Sequence, residues 1–425
     1  MYLFFIRHFN DIDHLTPIAW RMKRDNLPVR VFCINPAYDL TSDYRINFLR
    51  ANGIRVDYIY SAFDQGLGLR HRLYRFLFLR LFALHRFLAA FSRTPSIPLL
   101  GKLNNWAKEY GYRSYKSTRK RFYDVRWARN VMKQTGAKAL CFDWIRPNKF
   151  VVKPLIEAGK EAGIPVISVP HGVFLYTNNY IKTGATEDMR FAKFNAFDYV
   201  VQQNPLRREV IARSGVPRER LVVLGSARYC DEWMAQNRKI LPRKMGPENS
   251  RSPKLKVVLM TTRPKYRIHV DRMIKTFEML SNLDDIEVVI KPHTRTGDEA
   301  YMYQDVPISE VSDYSSVELC EWADVILVVA SSIIIEALKQ GKPALYLKHL
   351  HKNKMEYEEF EACWTINSDD ELRDALLALK HNPDKVPYTQ ENVNRWLAEI
   401  IYGGREKRDV LNDYEQFIVN PTIAI

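Results

Sequence analysis

The chain has 425 residues, 46% of them hydrophobic, enough to bury a large core and to build two or three domains. Its formal net charge is +15, and its five cysteines (Cys33, Cys141, Cys230, Cys320, Cys363) are scattered with no C-x-x-C pair, which excludes a readable disulfide framework or zinc knuckle and points to a reducing compartment. No basic region precedes Tyr2-Leu3-Phe4-Phe5-Ile6, and no uncharged apolar run approaches the ~18 residues of a spanning helix, so the expected location is cytoplasmic.

Short apolar runs rich in β-branched residues predict strands at 2–6, 29–34, 54–59, 138–143, 165–170, 197–201 and 221–225, most of them separated by helical patterns. Asp11-Ile12-Asp13, after the first strand, has the D-x-D form of a metal site, but it directly precedes a helical pattern and is read as an N-cap.

Between Arg70 and Lys133 stand 16 Lys and Arg against only Glu109 and Asp124, so nearly all the excess charge sits there. At 100° per residue Arg72, Arg75, Arg86 and Arg93 fall in one arc and Leu73, Leu77, Leu84, Leu88 and Phe91 opposite, interrupted by Arg80. This is a basic amphipathic helix suited to the face of an anionic membrane, with Arg72, Arg75 and Arg86 on the headgroups and Leu77, Leu84 and Leu88 below them. Tyr112, Tyr115, Tyr123 and Trp127 interleave with the basic residues that follow, a pattern also met on nucleic-acid surfaces, but no nucleic-acid motif accompanies it and no nucleic acid is expected as partner.

Residues 235–255, polar and carrying Pro242, Pro247 and Pro253, read as a linker. Strand signals resume at 256–261, 286–292, 324–329 and 343–347. Alternating strands and helices on both sides of the linker imply an α/β protein of two Rossmann-like parallel-sheet domains facing a central cleft, the layout called GT-B. The expected division is 1–234 with a basic helical insertion at 69–133, 256–395, and a C-terminal helix in 396–425 packing back across the junction.

In the second half DVILVV leads into SSIIIEALKQG, and a helix start with two hydroxyls, Ser331 and Ser332, can hold a phosphate. Glu336 lies four residues on, placed to accept hydrogen bonds from a ribose. Arg263 and Lys265 follow the strand at 256–261, and Lys291 and His293 end the next, so a parallel sheet brings all of them to one edge. In the first half VISVPHGVF places His171 at a strand end as acid or base, and CFDWIRPNKF places Asp143 one unit earlier. His349 and His351 sit among lysines, which disfavours a divalent cation, and no Walker A or G-x-G-x-x-G sequence occurs, so neither metal nor cofactor is expected.

The run of KPH, then ELCEWADV, then SS-x(3)-EAL-x-QGKPALYL resembles bacterial GT-B enzymes of surface-polysaccharide synthesis: capsule and O-antigen Kdo transferases, sialyltransferases and CDP-glycerol transferases. In the sialyl- and Kdo-transferases a His-Pro motif and a Ser-Ser or Ser-Thr motif hold the CMP of the donor. Here those positions are His293, followed by Thr294 in place of proline, and Ser331 with Ser332. PHG is similar to the His-Gly of CDP-glycerol transferases, and Asp143 with His171 resembles the pair of β-Kdo transferases in which the carboxylate is the nucleophile. The resemblance implies transfer of a sugar such as Kdo from a nucleotide donor, CMP-linked by analogy, to a glycolipid or polysaccharide acceptor at the inner face of the membrane. Polyol-phosphate transfer from a CDP donor, a UDP-sugar 2-epimerase and a non-catalytic module binding anionic polymer or membrane are its alternatives.

Overall fold

The structure, a computed structural model, describes residues 1–63, 68–91, 98–170, 172–178, 194–243, 253–293 and 300–422. It divides into two compact units: Met1–Gly172 with Arg190–Ile240 and Arg408–Ile425, and Val173–Met189 with Leu241–Lys407. The last helix, Val410–Val419, therefore belongs to unit 1 and Gln390–Tyr402 to unit 2. The expected linker begins as helix, Asp231–Ile240, and its centre lies outside the described residues.

Unit 1 holds seven parallel strands: β1 (Tyr2–Ile6), β2 (Val29–Cys33), β3 (Arg55–Tyr58), β4 (Ala139–Phe142), β5 (Val166–Ser168), β6 (Tyr199–Gln202) and β7 (Leu221–Val223), in the order β3-β2-β1-β4-β5-β6-β7. All five residues of β1 are buried, and because successive side chains alternate between faces, both faces of the sheet centre are covered. Phe5 stacks on Phe142 of the neighbouring strand at 4.4 Å. Arg408 and Tyr414 tie the last segment to this sheet, donating to the carbonyls of Val223 and Gly225 at 3.0 Å each.

Unit 2 holds six parallel strands: β8 (Leu255–Met260), β9 (Ile286–Lys291), β10 (Ser309–Glu310), β11 (Val325–Val328), β12 (Ala344–Leu347) and β13 (Trp364–Ile366), in the order β10-β9-β8-β11-β12-β13. Every expected strand is present within a residue or two of its bounds. The two that the pattern does not announce, β10 and β13, are edge strands of two and three residues, too short to show a period. A capping box of Ser315 and Glu318 starts the helix Ser316–Trp322 that delivers the chain into β11.

The basic insertion forms two long antiparallel helices, Gly68–Phe91 and Pro98–Phe122, joined face to face where His85 meets Asn104 and Phe82 meets Tyr112. The first presents a different side from the expected one. His71, Phe78, Phe82 and Leu88 form its buried face. Arg75 and Arg86 also turn inward, to the carbonyls of Tyr60 (3.5 Å) and Pro36 (2.8 Å), so these two arginines are held by the protein and not free for headgroups, and Leu88 is buried and not on the expected membrane side. Arg72, Leu77 and Leu84 are exposed. The helical wheel fails here because the helix has an apolar side in each direction, and the one rich in aromatic rings fills the groove beside Tyr60 and Tyr115.

Close packing in unit 1 yields a test. A Cβ on Gly159, in the helix Val152–Glu161, would stand 2.7 Å from Leu140 Cδ1 and 3.0 Å from Val166 Cγ2, side chains that are fully buried. Gly159→Val is expected to destabilise the protein by about 1–3 kcal/mol in urea unfolding through overpacking, and an unchanged midpoint would show that this helix is not seated on β4 and β5.

Candidate functional site

Parallel strands carry their carboxyl ends to one edge, and in unit 1 that edge gathers a charged cluster beneath the surface. Arg7 follows β1, and its guanidinium reaches Asp143, just past the adjacent β4, with Nε donating to Oδ2 at 3.0 Å and Nη2 bonding the same oxygen. The first helix, Phe9–Arg24, puts Asp11 in its opening turn, where Oδ2 accepts the Arg7 backbone N–H at 2.9 Å and stands 3.4 Å from Arg7 Nε. Asp11 is 0% and Asp143 1% exposed, and both carboxyl groups lie against the one Arg7 guanidinium. One arginine cannot neutralise two buried carboxylates, so the cheapest state keeps a proton on one. Burial first, then the charge of Asp143, push the Asp11 carboxyl well above the usual carboxylate range. Asp143 takes the closer contacts of the Arg7 guanidinium, through Nε and Nη2 to the same oxygen.

His8 completes the cluster. It is the N-cap residue of the first helix, its ring is 33% exposed, and Nδ1 lies 3.2 Å from Asp11 Oδ1. The residues that sequence reasoning singled out here were Asp143 and His171. Asp143 is at the edge as expected, though buried and clamped instead of free, and His171 lies outside the described residues. Arg7 and His8 were missed, and Asp11 was read only as an N-cap. The available signal was R-x-x-x-D directly after a wholly apolar strand, which places a cation at the strand end and a carboxylate in the first turn of the helix that follows. The N-cap reading of Asp11 and Asp13 is corrected: both lie inside the helix, and Asp13 pairs with Arg45 and, at 3.1 Å, with Arg228.

In unit 2 the sheet order sets β9, β8 and β11 side by side, with Met260 in register with both Lys291 and Val328, so the expected donor residues do share one edge. Arg263, His293, Ser331 and Ser332 are half-buried there, and Lys265 is exposed. The serines differ from expectation in one respect: the regular helix is Ile334–Lys339, six residues long, and Ser331 Oγ accepts the Ile333 N–H at 3.3 Å in the turn before it. Two other candidates are committed to the protein itself. Lys291 is 7% exposed and donates to the Ser312 carbonyl at 2.6 Å, while Glu336 is 5% exposed and accepts from Gln340 Nε2 at 2.8 Å. These bonds hold the edge strand and the short helix in place.

His349 and His351 diverge: His349 Nε2 lies 3.1 Å from Asp369, whereas His351 accepts the Asn353 N–H at 3.1 Å, and burial pulls its pKa down to about 4. A cavity of about 520 Å³ in unit 2, lined by Leu255, Asp324 and Pro343, opens at the amino ends of the strands and lies away from the serine edge.

No family model matches the chain, and no curated protein matches it. Solved structures do. A UDP-GlcNAc 2-epimerase from Neisseria meningitidis bound to UDP-GlcNAc aligns over 99% of this chain and 98% of its own with a TM-score of 0.53 and 13% identity. The epimerase from Methanocaldococcus jannaschii aligns over 98% of both chains with a TM-score of 0.55 and 12% identity. The S. aureus MnaA–UDP structure covers 99% of this chain and 95% of its own, with a TM-score of 0.52 and 12% identity. The chain thus has a GT-B-like fold of two parallel-sheet α/β units, with seven and six strands.

The shared proton has a thermodynamic signature. Between the unfolded aspartate range, about 3.9, and the raised folded value of Asp11, the folded protein holds a proton that the unfolded chain has released, so this site removes stability as pH rises. Asp11→Asn abolishes that slope. In urea unfolding the variant is expected to gain on the wild type as pH rises above the unfolded aspartate range of about 3.9, and a gap independent of pH would mean that the Asp11 carboxyl is not raised by folding.

Proposed function

We propose that the chain is a nucleotide-sugar enzyme whose unit 1 carries the proton-transfer machinery and whose unit 2 takes the nucleotide. The observation that carries this reading is the Arg7–Asp143–Asp11–His8 cluster: two buried carboxyl groups on one arginine, the proton affinity of Asp11 raised by burial and by Asp143, and the partly exposed His8 ring 3.2 Å from Asp11 Oδ1. Such a pair holds a proton acceptor and a proton donor at neutral pH, and His8 is the group assigned to touch substrate. In unit 2, Ser331, Ser332, Arg263 and His293 are assigned to the phosphates and Lys265 to the rim, at the strand-end position where open α/β sheets bind ligands.

Two reactions use this arrangement. Epimerisation at C2 of a UDP-sugar requires a proton to leave one face of the carbon and another to return to the opposite face. This reading is favoured by the likeness to UDP-GlcNAc 2-epimerases, and it fits those structures better than transfer from a CMP-linked donor does. Glycosyl transfer to a hydroxyl is the second reading, supported by the KPH and Ser-Ser motifs; there the cluster removes the acceptor proton as the nucleotide departs.

Incubation with UDP-GlcNAc in D₂O separates the two. Epimerisation leaves deuterium at C2 of the recovered nucleotide sugar, whereas transfer leaves the unreacted donor unlabelled and releases nucleotide only when an acceptor is added. Under either reaction His8→Gln and Asp143→Asn should lower turnover by roughly 10²–10⁴ while calorimetric nucleotide affinity holds. Ser331→Ala with Ser332→Ala should weaken that affinity. If no nucleotide or nucleotide sugar binds the folded protein, the reading is wrong.

A further inference from the structure

The two long helices of unit 1 carry an apolar surface that neither reaction uses. Among the described residues, all but four of the exposed large apolar side chains (Leu206, Tyr301, Leu377 and Val419) lie on Gly68–Phe91 and Pro98–Phe122. Leu73, Phe76 and Phe87 are 61%, 58% and 61% exposed on the first helix, and Leu103, Trp106 and Tyr110 stand out from the second. These side chains are not a core face turned the wrong way. The inner face is already filled: Phe78 and Phe82 are fully buried, a Cβ on Gly111 would come within 3.2 Å of the Phe82 ring, and Tyr60 and Tyr115 share a hydrogen bond of 2.7 Å.

Charge selects the partner. The two helices contain a single carboxylate, Glu109, and Arg113 pairs with it at 2.5 Å. Arg72, Arg80, Lys116 and Lys120 stand exposed beside the apolar residues. A second copy of the chain would bring the same positive face against this one, at a cost in repulsion. An anionic bilayer supplies both what the apolar side chains need and what the lysines and arginines need, and Trp and Tyr are the rings that settle at its interface. No described helix is long and apolar enough to cross a membrane, so the contact is made lying on the surface.

We propose that the outer face of this helical hairpin docks on an anionic lipid bilayer. Leu73, Phe76, Phe87 and Trp106 enter the acyl boundary, Arg80 extends its charged head from among them to the phosphates, and Arg72, Lys116 and Lys120 meet the headgroups. The inference does not rest on the reaction assigned above, because docking is read without substrate.

The test uses the full-length protein and sedimentation with vesicles, either phosphatidylcholine alone or equal parts phosphatidylcholine and phosphatidylglycerol. The wild type is expected to sediment with the anionic vesicles and remain in solution with the neutral ones. Arg72→Glu with Lys116→Glu and Lys120→Glu should weaken partition by at least about tenfold. Leu73→Ser with Phe76→Ser and Trp106→Ser should remove the binding that survives high salt. All six substitutions fall on exposed positions, and circular dichroism with thermal melting confirms that each variant is folded. Folded variants that sediment as fully as the wild type, or a wild type that ignores anionic vesicles, would overturn the proposal. So would light scattering that shows a wild-type dimer split by the serine variant in the absence of lipid binding, which would give the surface to a second copy.

Discussion

The Arg7–Asp143 ion pair, with Asp11 folded beneath it, is the constraint around which unit 1 is arranged. A largely covered guanidinium and two buried carboxyl groups at the ends of two neighbouring inner strands are tolerable only when each is bonded, because a buried charge left alone costs several kcal/mol. The bonds join β1, β4 and the start of the first helix. Loss of Arg7 would leave two acids facing each other with no cation, whereas replacement of Asp143 by asparagine keeps the shape and removes the charge that holds the Asp11 proton. The cluster is therefore a structural clamp between β1, β4 and the first helix.

Unit 2 is organised differently. Among the described residues its edge has no buried acid pair; the polar side chains there include hydroxyls, an arginine and an imidazole at half-burial. Lys291 ties β9 to the carbonyl after β10, and Glu336 ties the short helix to Gln340.

Strands were legible because those of a parallel sheet are buried on both faces and read as unbroken apolar runs such as YLFFI and VILV; the edge strands Ser309–Glu310 and Trp364–Ile366 lack that burial and so lack the signal. Strand order explains why residues named at separate strand ends in the second half do meet at one edge. The pairing of Arg7 with Asp143 was not legible, since 136 residues separate them and nothing local announces the contact. Glu336 carried a correct helical face but not its depth. The basic hairpin misled the helical wheel for a related reason: with Phe78 and Phe82 on one side and Leu73 and Phe76 on the other, amphipathicity leaves open which side is buried, and neighbouring aromatic rings decide it.

The central claim is that Asp11 and Asp143 share one proton at neutral pH. Infrared difference spectroscopy between the wild type and Asp11→Asn, each compared in H₂O and D₂O, reports it directly through the carbonyl stretch of a protonated carboxyl group. The account predicts such a band in the wild type, shifted by deuterium and missing from the variant. A wild type that shows only ionised carboxylate bands, with no protonated carboxyl lost on substitution, would contradict it.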